Sequence, residues 1–211
     1  MRRILLLLFF INGLFTEMHA RKGIASAAKE RPVRVLVVGA GDNVRSNYYY
    51  DDLIAEQTGI PVDSLELKLN HMVLSGLDEA TASAGCDFIP LAPGNEGWTD
   101  VTSHLEVKGE GQNCSSSLAQ LSNEAYQEVL DRAEAEYLLV LNQHYLKWQD
   151  EPMRTLFHIL SYSVYDKDKR PIHSGSEFFA SMKLENWERL NKLIKKPSGK
   201  IAKEVGRIIR R

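Results

Sequence analysis

The chain has 211 residues, with 26 Lys+Arg against 28 Asp+Glu, 44% hydrophobic and 26% charged residues, and two cysteines. That length suffices for one ordinary globular core and falls short of two large domains. The composition is too apolar for a disordered chain, and a formal net charge of −2 is too even for a wholesale nucleic-acid binder.

The first twenty residues read as an export signal. Arg2 and Arg3 give a positive start, residues 4–11 form an unbroken apolar run, and Asn12-Gly13 interrupts it. The uncharged stretch, residues 4–16, is shorter than the ~20 residues that a permanent membrane helix needs. A cleaved signal peptide is therefore expected, with no transmembrane segment after cleavage. Cleavage after Ala20 fits the spacing, although Ala25-Ser26-Ala27 is the better chemical match. The expected division is 1–20 signal peptide, 21–32 polar leader and 33–211 a single α/β domain, periplasmic or secreted.

Next comes VRVLVVGAGD at residues 33–42, a dense run of Val and Leu that reads as a buried central strand. Residues 43–58 carry Tyr48-Tyr49-Tyr50 and Asp51-Asp52, with a short helix expected around 52–57. Leu65, Leu69, Met72, Val73 and Leu77 recur at helical spacing and predict an amphipathic helix over 65–82. Gly85 ends it, and residues 86–91 read as a second strand. Residues 92–117 form a Gly/Ser/Asn-rich loop, in which 101–107 is the candidate edge strand or hairpin arm. Ser122 caps a helix over 123–135. Three strand patterns follow at 137–148, 155–166 and 171–182, the last two joined by the polar turn Asp166-Lys167-Asp168-Lys169-Arg170. Two short helices, 185–195 and 198–210, are expected to be separated by Pro197. Helices crossing between early strands and a meander at the end imply one fold class: an α/β (α+β) domain with a single mixed β-sheet, packed helices, and a C-terminal antiparallel meander followed by helices.

The VRVLVVG strand, AEAEYLLVL after a helix, the alternating LSYSVYD with its polar turn, and KIAKEVGRII follow the exported leader in that order. This layout, over residues 33–209, resembles small bacterial cell-envelope α/β domains: the TolB N-terminal domain, the CsgG curli secretion protein and the LpoB synthase activator. The resemblance implies assembly or binding in the envelope rather than catalysis. The chain departs from those proteins in lacking their lipidation cysteine.

The catalytic and cofactor templates fail one by one. Gly39-Ala40-Gly41-Asp42 follows a strand, but the dinucleotide fingerprint wants glycine where Val44 stands. Pro197-Ser198-Gly199-Lys200 lacks the first glycine of a phosphate loop, and Ser174-Gly175-Ser176 lacks a nucleophile elbow. His144, His158 and His173 fall on three successive strands, yet only a shared face would make them metal ligands; the strand parity puts His158 toward the core and His173 with Glu177. No cofactor, metal or catalytic residue is expected.

What remains is binding. From residue 186 onward nine Lys/Arg oppose Glu188 and Glu204, a local net of +7 that leaves −9 elsewhere. Lys200, Lys203, Arg207 and Arg210 share one face of the last predicted helix, with Ile201, Val205 and Ile208 on another. That is a solvated face over a docked stripe, or a patch for an anionic partner. Tyr48, Tyr49, Tyr50 and Trp98 form the candidate recognition surface, because exposed loop aromatics often bind. Cys86 and Cys114 are a candidate disulfide in an oxidising compartment. The leading expectation is an exported, non-catalytic binding or assembly domain whose partner is a protein or an anionic envelope component. The alternative is an exported hydrolase built on the strand end from Gly39 to Asp42 and the loop from Tyr48 to Asp52, with His71 or His144.

Overall fold

The structure, a computed structural model, describes residues 31–211, so the signal peptide and most of the polar leader lie outside the described residues. Strand β1 (Val33–Gly39) is an interior strand of the sheet, one place from its edge. It pairs in parallel with β3 (Cys86–Pro90) on one side, Val35 opposite Phe88. On the other side it pairs in parallel with β6 (Tyr137–Gln149), Val37 opposite Leu139. Strands β7 (Thr155–Tyr165) and β8 (Pro171–Ser181) extend the sheet antiparallel, giving the order β3-β1-β6-β7-β8. A three-residue strand, β2 (Val44–Ser46), continues past the end of β1 along β6, with Val44 opposite His144, and the short helix expected around 52–57 follows it as α1 (Asp51–Thr58).

Alternation along β1 sorts two cores. Val35 and Val37 face helices α2 (Leu65–Glu79) and α6 (Trp187–Ile209), whose Leu69, Leu77, Ile194, Ile201 and Val205 are buried with them. Leu36 and Val38 face α4 (Trp98–Ser103) and α5 (Asn123–Ala133), through Val101, Tyr126, Val129 and Leu130. Both faces of the parallel strands are thus covered, which is why residues 35–38 (VLVV) carry no polar position. The Ser122 hydroxyl accepts from the Ala125 N–H at 3.1 Å and starts α5 as predicted; Glu134, at φ +48°, ends it just short of the expected boundary.

Two expectations are corrected. Residues 101–107 are not one strand: Trp98 to Ser103 wind into α4, which places Trp98 and Val101 one turn apart on the second core. The Thr102 and Ser103 hydroxyls donate back to the Trp98 and Thr99 carbonyls. Only β4 (Glu106–Lys108) stays extended, in a small hairpin with β5 (Ser115–Ser117). The two expected C-terminal helices are a single one. Leu190, Ile194, Pro197, Ile201 and Val205 keep one buried face through the proline without a break of phase. Burying that stripe outweighs the ~3 kcal/mol an interior proline costs, and the Ser198 hydroxyl donates to the Ile194 carbonyl at 2.9 Å.

Helix α6 comes unusually close to α2 and the short α3 (Thr81–Ala84). A Cβ on Gly76 would lie 2.6 Å from the Ser198 Cβ, and one on Gly206 would lie 2.1 Å from the Ala84 carbonyl oxygen. Glycine is required at both places because the seam has no room for a methyl group.

Candidate functional site

Beyond the carboxyl end of β1 the chain turns to α2 on one face of the sheet. Beyond β3 it turns to α4 on the other. Such diverging strand ends open a crevice where α/β proteins commonly take ligands, and here it measures about 210 Å³, between Gly39, Glu66, Asn70, His71, Pro93 and Trp98. Gly39 lets α2 come near, since a Cβ there would meet the Asn70 Nδ2 at 2.2 Å. Asp42, at φ +52°, turns the chain so that its N–H donates to Glu66 Oε2 at 2.7 Å. Burial pushes the Glu66 carboxyl above its ordinary range, against the lowering effect of that hydrogen bond. His71 lines the same crevice from the exposed side of α2, but no hydrogen bond joins it to Glu66 among the described residues. The crevice has polar walls without an acid–base pair.

The rest of the expected hydrolase constellation is dispersed. His144 is buried beneath α2, 3.3 Å from His158, and burial pulls its imidazole down to about 4. Of the expected loop from Tyr48 to Asp52, Asp51 and Asp52 form the first turn of α1, while the tyrosines sit further along β6. There Tyr48 stacks on Trp148, ring centroids 5.6 Å apart and 27° between planes, and Tyr49 meets the same indole edge-on at 6.2 Å. Asn47 fixes this loop by accepting from the Trp148 N–H at 2.7 Å and donating to its carbonyl at 3.0 Å. The Ser46 hydroxyl donates to the Leu146 carbonyl and accepts from the Tyr48 and Tyr49 N–H groups. Trp98 is not part of this cluster; it packs half-buried against the second core and walls the crevice. The aromatic partner of the tyrosines is Trp148, which strand alternation alone did not distinguish from a core residue.

Register brings more apolar surface to the same end of the sheet. Trp148 lies opposite Leu156, and Leu156 opposite Ser181, so the β6–β7 connection and the chain leaving β8 emerge together. Tyr48 is 61% exposed, Tyr50 65%, Met153 67% and Met182 74%, with Trp187 close to half exposed at the start of α6. Exposed apolar groups gathered in this way mark interaction surfaces more often than scattered ones. Acidic groups outnumber basic ones around them: Asp51, Asp52, Asp150, Glu151 and Glu188 against Arg154, Lys183 and Arg189.

The basic C-terminal face is partly neutralised in place. Lys200 pairs with Glu177 at 2.8 Å, Arg207 with Glu204, and Lys195 with Glu79. The Arg210 guanidinium lies against Gly85, and Lys203 is exposed. Ile201 and Val205 are fully buried while Ile208 is half-buried, so the apolar stripe seats the helix.

The candidate disulfide is not formed. Cys86 and Cys114 are free, buried thiols, and burial raises both above the ordinary thiol range. Cys86 lies by Tyr137 at the start of β6, whereas the Cys114 carbonyl accepts from Asn142 five residues on. Five strand residues span about 17 Å, well beyond disulfide reach. Among the described residues no three His, Cys, Asp or Glu side chains gather to hold a metal, and no helix is long and apolar enough to cross a membrane.

No protein-family model matches the chain, nor does any curated protein. Among solved structures it is similar to the PelC dodecamer from Paraburkholderia phytofirmans, at 9% identity and a TM-score of 0.40, covering 82% of this chain and 88% of that one. It is also similar to a minor lipoprotein from Acinetobacter baumannii, at 7% identity and a TM-score of 0.35, covering 84% and 92%. A DUF330 protein from Xanthomonas campestris follows at 11% identity and a TM-score of 0.23, covering 50% and 74%.

Proposed function

We propose that this chain is an exported, non-catalytic binding domain of the cell envelope, and that it engages a protein partner through the aromatic end of its sheet. Export is read from the charged start and the short apolar run of residues 1–20. The observation that carries the binding surface is the gathering of Tyr48, Tyr50, Met153, Met182 and Trp187 at one end of the fold. Surplus acidic charge around them disfavours an anionic lipid surface and favours an apolar protein face with a basic rim. Aromatic residues held rigid before contact, as Tyr48 is by Trp148 and Asn47, lose little entropy on binding.

The test expresses the full chain with and without the triple substitution Tyr50→Ser, Met182→Ser and Trp187→Ser, and cross-links the envelope fraction. An adduct of one defined mass is expected, weakened about tenfold in the variant, while the melting temperature moves by no more than about 2 °C because these groups are exposed. An adduct indifferent to the substitutions, or wild-type binding to acidic vesicles in place of a protein, overturns the reading.

A further inference from the structure

Beneath α2, on the face of the sheet shared with α6, Asn43, Asn70 and His144 line a small cavity that Leu69, Val73, Leu160, Gln143 and Ser161 also border. Its volume is about 10 Å³, close to the room one water needs. Two buried polar atoms there have no protein partner, the Asn43 Oδ1 and the His144 Nδ1, and each residue is only 3% exposed.

The surrounding hydrogen bonds decide what those two atoms are. The Ser181 hydroxyl gives its one hydrogen to the Lys183 carbonyl at 2.7 Å, since a carbonyl can only accept. Its 3.3 Å contact with His158 must therefore be donated by His158 Nε2. Burial holds both imidazoles below their ordinary range and so neutral, with one proton each. The His158 Nδ1 is then a bare acceptor, and the 3.3 Å contact with His144 is donated by His144 Nε2. That leaves His144 Nδ1 as a lone pair facing the cavity. Asn43 is fixed in the same way: its Nδ2 donates to the Leu141 carbonyl at 3.2 Å and to Asn70 Oδ1 at 2.9 Å, so its Oδ1 is an acceptor. Two buried acceptors cannot satisfy each other, and a buried acceptor left unpaired loses the hydrogen bonds that water gave it in the unfolded chain.

We propose that this cavity binds one water molecule, which donates one hydrogen to His144 Nδ1 and the other to Asn43 Oδ1. The ligand must be small, neutral and a double donor, since no Asp, Glu, Lys or Arg side chain lines the cavity to supply a counter-charge. With the water in place, a continuous hydrogen-bonded line runs Asn70, Asn43, water, His144, His158, Ser181 and the Lys183 carbonyl. Asn70 also walls the strand-end crevice, so the line joins the crevice to the far end of β8.

The test needs no substitution. Long-range 15N–1H correlation on the wild-type chain at neutral pH is expected to place the ring proton of both His144 and His158 on Nε2, with a cross-peak from a long-lived water to His144. A high-resolution crystal structure is expected to show one peak at about 2.7–3.2 Å from both acceptors. A proton on Nδ1 of His144, or Nε2 protonation with neither a water cross-peak nor a density peak, overturns the proposal.

Discussion

The parallel half of the sheet and its antiparallel half are built on different terms. In β3, β1 and the first part of β6, helices lie on both faces, and Val35, Val38, Leu139 and Val140 are fully buried. In the later part of β6, β7 and β8, α6 covers one face, while the other meets the turn of Gly111–Asn113 and strand β5, whose Ser116 N–H donates to the Ser163 hydroxyl, and leaves Phe178 48% exposed. The first half is held by apolar area alone. The second keeps polar groups in its interior, His144 and His158 above all, and keeps apolar groups on its surface. Stability and the proposed recognition surface are therefore spatially divided, and substitutions should separate them.

The largest effect is expected in the parallel half. Leu139→Ala removes a fully buried side chain and should lower unfolding stability by about 3–4 kcal/mol in urea titrations. A loss under about 1 kcal/mol would mean that the two-sided core is not what holds this half. Next in size is Gly206→Ala, a single added methyl aimed at the Ala84 backbone oxygen, for which about 2–3 kcal/mol is expected. Unchanged stability would show that the α3–α6 seam is looser than its glycines imply.

Acid should weaken the antiparallel half specifically. His144 sits near 4 when folded against an ordinary value of 6.5, so between those values the unfolded chain binds the extra proton. The stability that the neutral ring preserves is fully present above pH 6.5 and is lost as pH falls toward 4. From pH 7 to pH 5 the loss from this ring is about 2 kcal/mol, and His158, shifted the same way, adds to it. Asp166 and Glu204, held below ordinary values of 3.8 and 4.5, act only under more acid conditions. Equal urea midpoints at pH 7 and pH 5 would overturn this. The smallest effect is expected for Phe178→Ser on the open face, under about 1 kcal/mol in the same titration. A larger loss would mean that the open face contributes to the core after all.

These two halves also differed in how readily they could be read from sequence. Unbroken apolar runs in 35–38 and 137–141, the helical spacing from Leu65 to Leu77 and the Ser122 cap need no tertiary knowledge. The histidine pairing was hidden by a register shift between Leu141 and Gln143. That bulge reverses the alternation and turns His144 onto the face of His158. It also moved Trp148 out of the pattern that would have marked it as the partner of Tyr48. The helix seam was hidden differently. Gly76, Ala84, Ser198 and Gly206 carry no hydrophobic signal, and their value lies in what they leave out. Pro197 reads as a stop because local geometry disfavours it, while the stripe that overrides it is visible only when α6 is packed.

Asn47 has a consequence for how the sheet could grow. By offering its side-chain amide to both backbone groups of Trp148, it stands in for one more residue of β2 and closes that stretch of β6 to an incoming strand. At the far edge β3 has five residues and ends in Pro90, which has no N–H to offer. Strand β8 has eleven residues and, among the described residues, pairs only with β7. Strand addition, whether by a segment of another protein or by a second copy, therefore has one long edge open to it, and that edge ends beside Met182 and Trp187.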